Sequence, residues 1–348
     1  MSYLYLIYSE KFTKIGFMPK SLFEEWKQKY FFFLDLIEKS PLKKHVIYKA
    51  PENFSEEVLH LAHTGKYISK VKSTSKYGGY LDFGETFMYC GGFKDALFIV
   101  SATLTAGKYA VEHNAISFNP CGGYHHAHTN SASGFCVFND IVILAKKLMK
   151  DFKKIAIVDI DLHHGDGTQH LLYNKPILKI SMHAYGIFPG SGDVTEIGVG
   201  SGEGYSINIP LKPRSGDDAA LYGLDNVIIP AIEAYSPEII IAQMGVDGHK
   251  DDYMQGLRLT YNFYKRFGNF MNKATNEITN GRFVGLDGGG YNPKTAAKGW
   301  IVMLEAINGY PPKIDLGEPT MGGLAVSYTH LRAHETSLHL VCRLLLEK

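Results

Sequence analysis

Asp159, Asp161 and His163 stand two residues apart where the apolar run Ile155-Ala156-Ile157-Val158 ends. A β-branched run of that kind reads as a buried strand, and in a strand alternate side chains share a face. All three groups are therefore expected to project to one side. Two carboxylates and an imidazole crowded at the end of a hydrophobic strand are desolvated at a cost, which a bound divalent cation removes. Asp247 stands at the end of a second apolar run, Ile239-Ile240-Ile241-Ala242. Asp161, His163 and Asp247 together make a three-ligand set that leaves a position for water, the usual arrangement of a catalytic zinc. Mixed carboxylate and imidazole donors also suit iron(II) or cobalt.

The adjacent pair His125-His126 supplies the next chemistry. A histidine beside an activated water can take its proton and later pass it to a leaving amine. Two neighbouring imidazoles need partners that fix their tautomers, and Asp159 and Asp166 are carboxylates available for that purpose. Tyr291 follows Gly288-Gly289-Gly290, a loop whose backbone can approach a ligand closely. A phenol aimed from there can donate to a developing oxyanion. Taken singly, an aspartate at a strand end is more often salt-bridged than metal-bound; the company of the other residues decides for Asp247. His164 and Asp193 read as structural, and His128, His183 and His249 receive no role. Nothing around Cys136 activates its thiol in preference to a metal site.

These residues need elements to hold them. Helical patterns at Phe93–His113, Asn139–Phe152, Asp218–Tyr235 and Leu259–Asn276 alternate with strand patterns at Ile155–Asp159, Ile177–Met182, Glu238–Met244 and Phe283–Leu286. The start of the chain reads as a further strand, and Phe31-Phe32-Phe33 as a helix packing face. Alternation of this kind predicts a parallel sheet with helices on both faces. In such sheets, sites form beyond the carboxyl ends of the strands, which is where every polar cluster named above falls.

Composition narrows the class. With 36 basic and 35 acidic residues the formal charge is +1, and 45% of residues are hydrophobic. No global field recruits nucleic acid or an anionic membrane surface. No uninterrupted apolar run is long enough to span a bilayer, and the first residues lack the pattern of a signal peptide. The four cysteines, Cys90, Cys121, Cys136 and Cys342, show no CxxC pairing, so a reduced, cytoplasmic setting is expected.

Six segments, in order, resemble the histone deacetylase family, which includes bacterial acetoin-utilisation deacetylases and acetylpolyamine amidohydrolases. They are Gly122-Gly123-Tyr124-His125-His126-Ala127, the stretch from Ala132 to Asp140, the stretch from Asp159 to Gly167, Phe188-Pro189-Gly190-Ser191-Gly192, Gly245-Val246-Asp247 and Gly288-Gly289-Gly290-Tyr291-Asn292. The resemblance implies a single-domain α/β fold of the arginase/deacetylase type over residues 1–325. It implies Asp161, His163 and Asp247 as zinc ligands, His126 oriented by Asp166 as general base and then acid, and His125 paired with Asp159. Tyr291 would polarise the amide carbonyl, Phe135 and Phe188 would flank an acyl-lysine tunnel, and Gly134 would let it narrow. A structural potassium ion would lie on Asp159, Asp161, His163, Ser181 and Met182.

The sequence departs from the family pattern in places. The family's early Pro-x-Arg signature has its only counterpart here in Pro19-Lys20-Ser21, which leaves the arginine of the internal channel without a match. The rim aspartate has Glu85 in its place, and the first glycine of the usual four before the tyrosine is Asp287. Residues 326–348, with Val326-Ser327-Tyr328-Thr329-His330-Leu331-Arg332-Ala333-His334-Glu335-Thr336, resemble a translated sequencing adapter and read as a tail foreign to the domain. The expected function is zinc-dependent hydrolysis of the amide of acetyl-lysine, or a short acyl-lysine, on an acetylated protein. A small acetylated amine is the alternative substrate, as in an acetylpolyamine amidohydrolase, and Met254 at the matching rim position disfavours it. A catalytically silent acyl-lysine binding module ranks last, and the oligomeric state is left open.

Overall fold

The computed structural model describes residues 3–321. The boundary expected at residue 325 and the tail from 326 to 348 lie outside the described residues. Ten strands run in chain order: β1 (Leu4–Ile7), β2 (Val46–Lys49), β3 (Gly79–Tyr80), β4 (Phe87–Met88), β5 (Ile116–Asn119), β6 (Ile155–Asp159), β7 (Leu178–Ala184), β8 (Ser206–Leu211), β9 (Ile239–Gln243) and β10 (Phe283–Leu286). β3 and β4 form a small antiparallel pair, and the other eight make one sheet in the order β2-β1-β5-β10-β9-β6-β7-β8. Every pairing in that sheet is parallel. The parallel sheet with helices on both faces is therefore as expected.

The run Ile155–Val158 becomes a central strand because each face of the sheet has its own apolar cover. Ala156 and Val158 of β6 and Ile240 and Ala242 of β9 enter one core, while Ile155, Ile157, Ile239 and Ile241 enter the other. That separation is the period-two alternation of a strand buried on both sides. On one face the helix Pro293–Ile307 packs on Tyr261–Glu277 and on Gln28–Lys39; on the other, Gly92–His113 packs on Asp140–Leu148. Side chains of Asn139, Thr260 and Asn292 accept from backbone N–H groups at the starts of their helices, which is the capping that sets those boundaries.

Three expectations need adjustment. The helix after Asn139 ends at Leu148 rather than Phe152, and a turn follows. The helix expected over Asp218–Tyr235 begins at Asp217 and passes through a π-helical turn at Leu224–Ile228. Phe31-Phe32-Phe33 is no common packing face. A helix advances 100° per residue, so Phe33 is fully buried while Phe31 is half exposed.

Candidate metal centre and active site

Four adjacent central strands, β5, β10, β9 and β6, deliver the chemical groups at one sheet edge. The loop after β5 carries His125 and His126, that after β6 carries Asp161 and His163, that after β9 Asp247, and that after β10 Tyr291. The strand reading of Asp159, Asp161 and His163 needs correction in its geometry. β6 stops at Asp159, and the next residues turn because Asp159 Oδ1 accepts from the N–H of Asp161 at 3.1 Å and Asp161 Oδ1 from that of His163 at 3.0 Å. Strand alternation therefore does not run through all three. Asp159 turns to His125, and the other two turn toward Asp247.

Donor atoms of Asp161, His163 and Asp247 lie within 4.8 Å of one another, and all three residues are buried. His163 Nδ1 is 3.2 Å from Asp161 Oδ1 and 3.1 Å from Asp247 Oδ2. Asp161 Oδ2 accepts from Gln243 Nε2 at 2.7 Å and from the Gly289 N–H at 2.6 Å; Asp247 Oδ1 accepts from the Leu162 N–H at 2.8 Å. Asp247 Oδ2 is buried and makes no well-aligned hydrogen bond, His163 Nδ1 lying 3.1 Å away but outside hydrogen-bond geometry. A Cβ on Gly289 would lie 2.0 Å from that same oxygen, so only glycine admits the carboxylate there. An orphaned carboxylate oxygen beside a second carboxylate and an imidazole fits a divalent cation, which would satisfy all three at once.

The electrostatics of the three side chains run the same way. Burial pushes Asp247 up and the nearby Asp161 pushes it further, to about 7. Burial alone would raise Asp161, but His125 and His163 outweigh it and hold that carboxyl well below its usual range. Burial would lower His163, yet its contacts with Asp161 and Asp247 raise it to about 10.

The histidine pair divides into two roles. His125 Nδ1 is 2.7 Å from Asp159 Oδ2, and His126 Nδ1 is 2.6 Å from Asp166 Oδ1, with the two rings only 3.9 Å apart. Burial opposes charge on His125, but Asp159 and Asp161 overcome it and raise the group to about 9. Burial lowers His126, the neighbouring His125 lowers it further, and it falls to about 3. Burial would raise Asp166, but His126 and His128 keep it below the ordinary carboxylate range. An ionised Asp166 requires an N–H at Nδ1 of His126, which leaves Nε2 as the basic nitrogen. These surroundings favour charge on His125 and a neutral His126 imidazole. The loop that carries them is held by Asp140, which accepts from the N–H groups of Gly123 at 3.0 Å and Tyr124 at 2.8 Å.

A cavity of about 50 Å3 opens on the cluster, lined by both histidines, Asp161, His163, Gly134, Phe135 and Tyr291. The Phe188 ring stands 4.9 Å from that of His126 and 6.0 Å from that of His163; the Phe135 ring stands 6.3 Å from that of Tyr291. Gly134 has φ +51°, and a Cβ there would lie 2.6 Å from His126 Cδ2. Burial, with Asp247 and Asp161 adding to it, holds the Tyr291 phenol well above its ordinary value, so it remains a donor. Glu85 is not in this chamber; it lines a broader outer groove of about 670 Å3 together with His128 and Phe188. Met254 is exposed at the surface, its N–H donating to Asp252 Oδ1 at 3.1 Å. Ser181 of β7 stands opposite Asp159 in register, its Oγ 2.9 Å from His183 Nδ1, and Met182 follows it, buried.

Sequence reasoning missed several supporting groups. Pro19-Lys20-Ser21 supplies no interior group, since Pro19 and Lys20 are exposed at the start of a helix. A buried lysine, Lys29, instead stands behind the site, with Nζ 2.7 Å from Asp287 Oδ2. The signal was a lysine set among Trp26, Tyr30 and Phe33 at helical spacing, which places it on the apolar face. Gln243, Asp140 and Asp252 are the other omissions. Asp252 Oδ2 accepts from the N–H groups of Tyr291 at 2.7 Å and Asn292 at 2.9 Å, and no local pattern reveals a contact across 39 residues.

A parallel α/β sheet whose central strands converge a carboxylate–imidazole cluster, a histidine pair and a tyrosine at one edge defines the class of this protein. The chain belongs to the histone deacetylase domain family, whose description matches residues 24–307, and it is a deacetylase, a hydrolase. It is 36% identical over 247 residues to a protein of Archaeoglobus fulgidus named "Probable deacetylase", covering 69% of this chain and 68% of the relative. The "Acetoin utilization protein AcuC" of Bacillus subtilis is 32% identical over 285 residues, covering 76% and 73%. That of Staphylococcus xylosus is 32% identical over 331 residues, covering 90% and 84%.

Proposed function

We propose that the protein is a zinc-dependent deacetylase that hydrolyses the amide of acetyl-lysine, or a short acyl-lysine, on a polypeptide. The observation that carries this reading is the union of two features. Asp161, His163 and Asp247 bring their donor atoms within 4.8 Å, and His125 and His126, each tied through Nδ1 to a different carboxylate, stand beside them.

Asp161, His163 and Asp247 would hold the ion. Bound zinc would supply a Lewis acid for the carbonyl and lower the pKa of water. His126 Nε2 takes the proton of the attacking water, because Asp166 keeps Nδ1 protonated and the ring is otherwise neutral. The same proton then goes to the leaving nitrogen, which departs as the neutral amine; the proton left on the new carboxylic acid passes to that amine afterwards, giving carboxylate and ammonium. His125, charged against Asp159, balances the negative groups without taking a proton from water. The Tyr291 hydroxyl donates to the oxyanion that develops on the carbonyl oxygen. Phe135 and Phe188 grip the methylene chain of the lysine, and Glu85 and Met254 meet the substrate outside the chamber. Asp159, Asp161, His163, Ser181 and Met182 would hold a structural potassium ion; the register that sets Asp159 opposite Ser181 supports this.

The uncharged Met254 at the rim offers no partner to the distant ammonium of an acetylpolyamine, and favours acyl-lysine over that alternative. No helix among the described residues is long and apolar enough to cross a membrane. Cys90, Cys121 and Cys136 are free thiols, which supports a reducing, cytoplasmic setting. The test compares kcat/KM of zinc-loaded protein for an acetyl-lysine peptide and for acetylspermidine. Faster turnover of acetylspermidine would overturn the substrate assignment, and no turnover of either would overturn the enzymatic reading.

A further inference from the structure

Asp166 is shared between two imidazoles. Its Oδ1 lies 2.6 Å from His126 Nδ1 and its Oδ2 2.8 Å from His128 Nε2. The backbone of His128 is held from two sides: its N–H donates to the Ser131 carbonyl at 2.9 Å, and its carbonyl lies 2.9 Å from His63 Nδ1. Its side chain is about 30% exposed, and it lines the outer groove rather than the metal chamber. His128 thus reaches the base's carboxylate from the solvent side, while His126 reaches it from within.

We propose that His128 is a positioning residue for the deacetylase reaction, holding the far oxygen of Asp166 so that the near one stays aimed at His126. The inference rests on the deacetylase reading given above. A carboxylate bonded at one oxygen alone can swing about its Cβ–Cγ bond; donors on both oxygens fix its plane. His128 keeps its own proton at Nε2 throughout and lies off the path from water to amine.

The test uses zinc-loaded protein and an acetyl-lysine peptide, with kcat and KM measured for His128→Phe and His128→Gln. The phenylalanine variant should lose kcat about tenfold or more with KM, zinc content and Tm little changed. The glutamine variant, whose amide N–H can still reach Asp166, should recover most of kcat. A phenylalanine variant with undiminished kcat, or a glutamine variant no better than the phenylalanine one, would overturn the proposal. Should the phenylalanine variant not fold, His128→Ala takes its place. If the wild type turns over no acylated amine, the deacetylase reading fails separately; the NMR resonances of the His126 ring should then shift in His128→Phe and stay in place in His128→Gln, and unchanged resonances in both overturn the proposal.

Discussion

Lys29 and Asp287, 258 residues apart, form an ion pair of 2.7 Å with essentially no exposure of either side chain. The ammonium also lies 3.8 Å from the ring centre of Trp26 and 4.7 Å from that of Trp300. Burial lowers Lys29 despite the partner, and burial raises Asp287 to about 7 against the pull of Lys29. Both shifts run toward the neutral forms, so desolvation exceeds the attraction within the pair. Lys29→Met should therefore destabilise the protein by about 3–5 kcal/mol, because it strands a buried carboxylate. The double variant Lys29→Met with Asp287→Leu should recover most of that loss. Denaturant unfolding of the three proteins checks this; a double variant no better than the single one would contradict it.

Asp247→Ala should remove one donor and free the Leu162 N–H from its 2.8 Å partner. Metal content of the purified protein should fall from near one equivalent to background, with turnover lost in parallel. Elemental analysis beside an activity assay measures both. Full activity at full metal content would show that Asp247 is not a ligand.

Tyr291→Phe leaves the backbone N–H of residue 291 on Asp252 and takes away only the hydroxyl. Zinc content and KM should stay near wild type while kcat falls by roughly 10²–10³, the usual effect of losing one oxyanion donor. A loss confined to KM would place the phenol in ground-state binding instead.

Gly134→Ala forces a Cβ to within 2.6 Å of the His126 ring at φ +51°. The expected result is about a tenfold or larger loss of kcat with a stability cost of roughly 1–2 kcal/mol from the left-handed backbone. Steady-state kinetics and thermal unfolding separate the two effects.

His63 provides a pH prediction away from the metal. Its Nε2 accepts from the Asn139 N–H at 3.0 Å, and burial lowers its pKa to about 4. The unfolded chain binds a proton near 6.5, so between about pH 6.5 and 4 it takes up more protons than the folded protein. Stability must then fall as pH drops through that window. His63→Gln abolishes the titration. Between about pH 7 and 4.5 the wild type should lose about 2–3 kcal/mol more than the variant. Equal losses in urea denaturation would refute it.

The fold was legible where the local pattern and the tertiary environment agree. Ile155–Asp159 and Phe283–Leu286 are strands to the residue, because an apolar run between polar loops has one stable outcome when both faces are covered. Boundaries failed where termination depends on packing, as at Leu148, and where three consecutive phenylalanines gave no sign of which would face inward.

What the residue order determined by itself was the chemical inventory and its place in the fold: Asp161, His163, Asp247, the histidine pair and Tyr291, each just past a strand of a parallel sheet. Short-range physics suffices for that, since strand periodicity and loop composition are local. The family resemblance already paired His126 with Asp166 and His125 with Asp159; only the tertiary structure decided that Asp166 bridges His126 and His128, that Lys29 finds Asp287, and that Asp252 holds the Tyr291 loop. Those pairings join segments distant in the chain. Their geometry follows from how the sheet order sets neighbouring loops against one another, which no spacing along the sequence encodes.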